Sequence, residues 1–205
     1  MIITDPMEIE KQSMEIIEKG LPAGIPEENK AVIKRVIHCT ADFDYAANLA
    51  FSDNAVQKAE AALKEGCDIV TDTQMAFSGI NKAAAAELGC AVHCFMGDPD
   101  VADEALKRRC TRAAVSMERA AKLKKPIIFA IGNAPTALLR LRELIDEGEI
   151  APRLVIGVPV GFVNVIESKE AIMETDIPYI IAKGRKGGSN VAAAVVNALM
   201  YRITR

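Results

Sequence analysis

From residue 66 onward the chain repeats one pattern: a short run of β-branched and other apolar residues, a loop containing Gly, Asp or Pro, then a segment of helical period. Few folds accommodate that alternation, because short apolar strands separated by helices pair in parallel and are covered on both faces. The runs fall at 67–71, 90–94, 126–131, 153–156 and 178–182, and the helical segments at 81–88, 102–123, 136–147, 164–174 and from Ser189 to about Ile203. They predict an α/β protein on a mainly parallel five-stranded sheet. The first 65 residues read differently, as two helices, a short extended piece around 47–51, and a helix over 53–65 stopped by Gly66. With 205 residues, 50% of them hydrophobic, the chain is long enough for one well-buried core and too short for two ordinary domains. A single domain over 1–205 is expected, its N-terminal helical segment 1–45 packed on the sheet.

Charge and cysteine usage narrow the class. The 25 Lys and Arg against 28 Asp and Glu leave a net charge of −3, which argues against a nucleic-acid binder relying on a broad basic surface. Cys39, Cys67, Cys90, Cys94 and Cys110 are odd in number, and no two are spaced as Cys-x-x-Cys. The N-terminus lacks a basic-then-apolar signal, and no apolar run approaches a membrane span. A soluble, cytoplasmic protein with no membrane partner is the expectation.

In an open parallel sheet the ligand lies outside the carboxyl ends of the strands, which directs attention to the loops at 72–75, 95–98, 132–136, 157–162 and 183–189. The last is the strongest local signal: three cations and three glycines precede Ser189, which reads as the N-cap of the terminal helix. Residues 180–205 hold Lys183, Arg185, Lys186, Arg202 and Arg205 and no acid. The loop is either an anion site or a solvated basic turn. It lacks P-loop spacing, and no G-x-G-x-x-G occurs, so carboxylates are a more natural guest than a nucleotide.

Only His38 and His93 offer an unperturbed proton carrier near neutral pH. Val32, Ile33, Val36 and Ile37 form one apolar helical stripe, and at 3.6 residues per turn His38 falls off it, sharing a face with Arg35 and, if the helix persists, with Asp42. A carboxylate in reach near a helix C-terminus would favour the imidazolium and suit a general acid, with Arg35 opposing it; a surface or capping histidine is the plainer alternative. Strand alternation sends His93 away from Cys90 and Cys94, so these three do not converge on a metal, and His93 reads as a core or cleft-lining residue. No metal site is expected.

Several longer stretches occur together: 35–45 (RVIHCTADFDY), 69–75 (IVTDTQM), 130–138 (AIGNAPTAL), 157–170 (GVPVGFVNVIESKE) and 183–192 (KGRKGGSNVA). In this order, and over nearly the whole chain, they resemble the precorrin-8X methylmutase family of corrin ring biosynthesis, including its cobalt-precorrin-8 form. The resemblance implies a flavodoxin-like, three-layer α/β/α fold, a homodimer, and an isomerase moving a methyl group from C-11 to C-12 of precorrin-8 or cobalt-precorrin-8 to give hydrogenobyrinate or cobyrinate. It implies that His38 is the catalytic proton donor and acceptor, and that Arg112, in Thr111-Arg112-Ala113, and Ser13 contact the substrate. Around Ser13 the chain departs from the common Arg-Ser-Phe pattern, reading Gln12-Ser13-Met14.

Asp72, Thr73, Asn133, Lys183, Arg185, Lys186 and Ser189 are the further candidate substrate contacts. A flat apolar ring fringed by carboxylates needs an apolar cleft, for which Met75, Phe77, Phe95, Met96, Val160 and Phe162 are available, and cations at its rim. No resident cofactor is expected; cobalt, if present, is carried by the substrate. Two other classes remain open on the residues alone. A tetrapyrrole-binding or metal-chelatase protein on a similar fold would use His38 and His93 jointly, and a small phosphate-binding regulatory domain would use the 183–189 loop without binding a corrinoid.

Overall fold

The computed structural model describes residues 2–205. Helices α1 (Pro6–Gly20) and α2 (Glu27–Thr40), the single turn α3 (Tyr45–Asn48) and strand β1 (Leu49–Phe51) precede α4 (Ala55–Lys64). There follow β2 (Asp68–Thr71), α5 (Gln74–Gly79), α6 (Lys82–Glu87), β3 (Ala91–His93), a 3-10 turn (Phe95–Gly97), α7 (Pro99–Arg108) and α8 (Arg112–Ala120). The chain ends with β4 (Ile127–Ile131), α9 (Pro135–Asp146), β5 (Leu154–Gly157), α10 (Val165–Met173), β6 (Tyr179–Ala182) and α11 (Ser189–Thr204).

Five strands run parallel in the order β3-β2-β4-β5-β6. In chain order these lie second, first, third, fourth and fifth, the flavodoxin-like winding, and the order reverses between β2 and β4. All residues of β4 and β5 are buried, which accounts for their unbroken apolar sequence. Their side chains divide with period two. Ile128, Ala130, Leu154 and Ile156 join a core with α2, α4 and α11, whereas Ile127, Phe129, Ile131 and Val155 join one with α8, α9 and α10. Helices therefore cover both faces, as three α/β/α layers.

The last helix, α11, is buried nearly all round, with Ala192, Ala193 and Ala194 keeping it slim enough to lie between the sheet and α2. Against it α2 buries Val32, Ile33, Val36 and Ile37, each 3% exposed or less and each contributing roughly 2 kcal/mol by area removed from water. His38, one step past that stripe, is exposed.

The structure departs from the sequence expectation at three elements. The extended piece before Ser52 is a strand, β1, paired antiparallel with β6, so the sheet has six strands and not five. The loop expected over 72–75 is shorter: Thr73 accepts a hydrogen bond from the Ala76 amide and caps the short α5, which starts at Gln74. The single helix expected over 102–123 is two, because Arg109 takes a left-handed backbone (φ 54°) and Thr111 caps a new start by accepting from the Ala114 amide at 3.2 Å. That break places Arg112 at the first position of α8.

Candidate active site

At the reversal between β2 and β4, a doubly wound sheet offers a crevice into which backbone amides point. Here the chain fills it. Asp72, directly after β2, accepts hydrogen bonds from three successive amides after β4: Gly132 at 2.8 Å, Asn133 at 2.8 Å and Ala134 at 2.6 Å. Its side chain is fully buried. Burial pushes the carboxyl above its ordinary range, while the three amides pull it back by favouring the anion. Asp72, expected among the substrate contacts, is thus an internal brace with its oxygens engaged.

Beside it, the Thr73 and Ser189 hydroxyls lie 2.8 Å apart and join the start of α5 to the start of α11. Ser189 is buried at the first helical position and is not the N-cap, which falls on Gly188 in a conformation (φ 142°) open to glycine. The approach of α11 to the strand ends is equally close elsewhere: a Cβ on Gly132 would sit 2.6 Å from the Ser189 Cα, and one on Gly187 would sit 2.1 Å from the Val158 carbonyl oxygen.

The loop between β6 and α11 is held from below. Lys169 on α10 is 1% exposed, and its Nζ donates to the carbonyls of Gly184 at 2.7 Å and Lys186 at 3.0 Å. Between them, the Arg185 carbonyl accepts from the Gly161 amide at 3.3 Å, and the Gly188 amide donates to Val158 at 2.8 Å. Burial alone pushes the Lys169 ammonium down to about 8 from 10.5. Because the unfolded chain keeps this proton up to about pH 10.5 and the folded one releases it near pH 8, folding stability gains from this group as pH rises through that window. Measured by chemical denaturation, the native protein gains up to about 3 kcal/mol relative to Lys169→Met between those pH values. A neutral amine retains two N–H groups, enough for both carbonyls.

At the far end of α2, Ala41 turns left-handed (φ 53°) and the helix stops, so Asp42 does not continue the face of His38 as the periodicity suggested. Lys186 takes both Asp42 and Asp44, each at 2.6 Å, tying the end of α2 to the 183–188 loop. Hydrogen bonding to Lys186 holds Asp42 below its ordinary range, and the same pairs raise Lys186. The Cys39 thiol lies 4.0 Å from the Asn190 carbonyl, so the His38–Cys39 turn adjoins the first turn of α11. Arg35, expected to oppose a charged His38, is neutralised by Glu10 of α1 at 3.2 Å. Ser13, one turn beyond Glu10, donates to its own helix at the Ile9 carbonyl, 2.8 Å away.

Arg112 is exposed beside a hollow of about 550 Å³ lined by Ala102, Ala105, Leu106, Arg109 and Cys110. Thr111 and Thr136 join the starts of α8 and α9 at 2.9 Å, which sets Arg112 at the same end of the sheet as Asn133. The side chains of Asn133, Lys183 and Arg185 are exposed there. The five C-terminal cations do not form one patch: Arg202 pairs with Glu60, and Arg205 stacks on Tyr201 at the opposite end of α11.

A family model described as precorrin-8X methylmutase matches residues 8–202. The chain belongs to the precorrin-8X methylmutase family. The cobalt-precorrin-8 methylmutase of Leptospira interrogans is 44% identical over 94% of this chain and 91% of its own. The precorrin-8X methylmutase of Pseudomonas aeruginosa is 38% identical over 96% of each. A crystal structure of precorrin-8x methyl mutase from Thermus thermophilus superposes with a TM-score of 0.86 at 38% identity, covering 94% of this chain and 96% of that one.

In this methylmutase-family chain the expected apolar lining separates into two groups. Met75, Val160 and Phe162 are exposed at the strand ends, Phe162 at 88%. Phe95 and Met96 instead pack toward α7 and α8, where Met96 Sδ accepts from Ser116, and Phe77 lies under the Lys82 ammonium. His93 stacks on Phe95 with ring centroids 5.7 Å apart, and its buried Nε2 sits 3.4 Å from Asp68. Sequence reading missed Lys169. Its signal was a lysine in the helical stretch 164–174 at a position whose neighbours, Ser168 and Ile172, are buried.

Proposed function

We propose that this chain is the isomerase its family membership indicates, moving a methyl group on the ring of precorrin-8 or cobalt-precorrin-8 with His38 as proton donor and acceptor. The observation that carries the role of His38 is placement: its side chain is exposed at the end of α2, tied through Asp42 and Lys186 to the loop that bears the free cations. His93 has its Nε2 buried beside Asp68, which weakens the chelatase reading that needs both histidines.

The ring lies across Met75, Val160 and Phe162, with Lys183, Arg185 and Arg112 meeting its peripheral carboxylates and Asn133 beside them. Protonation of the macrocycle by the imidazolium makes a neighbouring ring carbon electron-poor, the methyl shifts to it, and return of the proton to His38 restores the ring; atoms and charge balance without a resident cofactor. Cobalt enters and leaves with the substrate. The functional unit is a homodimer, working in the cytoplasm.

Conversion of precorrin-8 to hydrogenobyrinate by the purified protein, followed by absorbance, tests the assignment; absence of conversion of both the metal-free and cobalt substrates overturns it. Replacing Lys183 and Arg185 together by Ala is expected to weaken cobyrinate binding by about tenfold or more at low salt, with the difference shrinking as salt rises. Equal affinities at low ionic strength would remove these cations from the site.

A further inference from the structure

A buried lysine with no carboxylate beside it requires an explanation. Lys169 lies mid-way along α10, 1% exposed, where a methionine of similar volume would pack without the cost of burying an ammonium. Its Nζ reaches the carbonyls of Gly184 and Lys186, on either side of Arg185. With the Gly161 amide on the Arg185 carbonyl, three consecutive carbonyls are held from the α10 side while the Arg185 side chain stands exposed. Three glycines, Gly184, Gly187 and Gly188, make this loop intrinsically loose, so its shape depends on such ties. Lys186 then continues the connection to Asp42, four residues after His38.

We propose that Lys169 is the positioning residue of this site, fixing the 183–188 loop so that Arg185 faces the substrate and Lys186 holds the end of α2 that carries His38. The proposal rests on the reading above, in which Arg185 meets a carboxylate of the ring. Lys169 touches neither substrate nor reacting atoms; it acts through the backbone of the loop.

A double-mutant cycle on the full-length protein tests it, with cobyrinate as the probe, binding read by absorbance titration and folding checked by circular dichroism. Lys169→Met and Arg185→Ala are each expected to weaken cobyrinate about tenfold, while Arg185→Ala made in the Lys169→Met background costs no more than about threefold, because the arginine is already misplaced. A lysine that served only general stability would leave the two losses additive, and additivity with both single effects present overturns the proposal while keeping the site. If Arg185→Ala alone leaves affinity unchanged, the reading of the site fails first and the proposal with it. Should Lys169→Met not fold, the same cycle is run on Lys169→Gln, which keeps an N–H donor on a shorter stem. Failure of both variants to fold would place Lys169 in the core and also overturn the proposal.

Discussion

His38→Ala is expected to lower methyl migration by at least about a thousandfold while cobyrinate affinity stays within about threefold of the native value. The asymmetry follows from where the residue sits. His38 is exposed one step beyond a stripe of four buried aliphatic residues, so truncating it removes no core contact. The Lys186 pairs with Asp42 and Asp44, which anchor the end of α2, do not involve the imidazole. What disappears is the proposed proton carrier. Single-turnover absorbance measurements separate chemistry from binding, and turnover at the native rate would show that the proton passes elsewhere.

Asp72→Asn is expected to destabilise the fold by about 3 kcal/mol, with a fall in melting temperature of roughly 10 °C. Gly132, Asn133 and Ala134 direct their amides at two carboxylate oxygens within 2.6–2.8 Å, and the side chain is fully buried. An asparagine supplies one acceptor oxygen and turns an N–H₂ toward donors. At least one of the three amides is then left unpaired next to another donor. Denaturant unfolding with an unchanged slope measures the loss. A variant as stable as the native protein would mean that the amides find other acceptors.

The parallel sheet was legible because burial on both faces leaves an unmistakable trace, as in the unbroken apolar runs of β4 and β5, whereas its flavodoxin-like winding came from the family resemblance. The stripe on α2 and the exclusion of His38 from it followed from the helical period alone. What escaped was information carried across distance. Nothing local in Lys183 or Arg185 distinguishes them from Lys186, yet only Lys186 is engaged by two carboxylates from 142 and 144 residues away in sequence. Asp72 looked like a loop carboxylate free to meet a ligand, and its partners are amides some 60 residues on. The split between α7 and α8 was hidden because Arg109 is an ordinary helix former, forced left-handed by the restart at Thr111.

The brace formed by Asp72 also bears on selectivity. Three amides converging at the reversal of a parallel sheet would, if vacant, collect whatever small anion is abundant, and inorganic phosphate or a nucleotide would compete there with any intended ligand. A tethered carboxylate occupies that position permanently and cannot be displaced by concentration. On the proposed reading, the polar groups left for a visiting molecule are the exposed side-chain cations Lys183, Arg185 and Arg112, carried on two separate segments of the chain. In that arrangement a ligand broad enough to reach both segments at once gains most by binding, and the site would discriminate by span before it discriminates by chemistry.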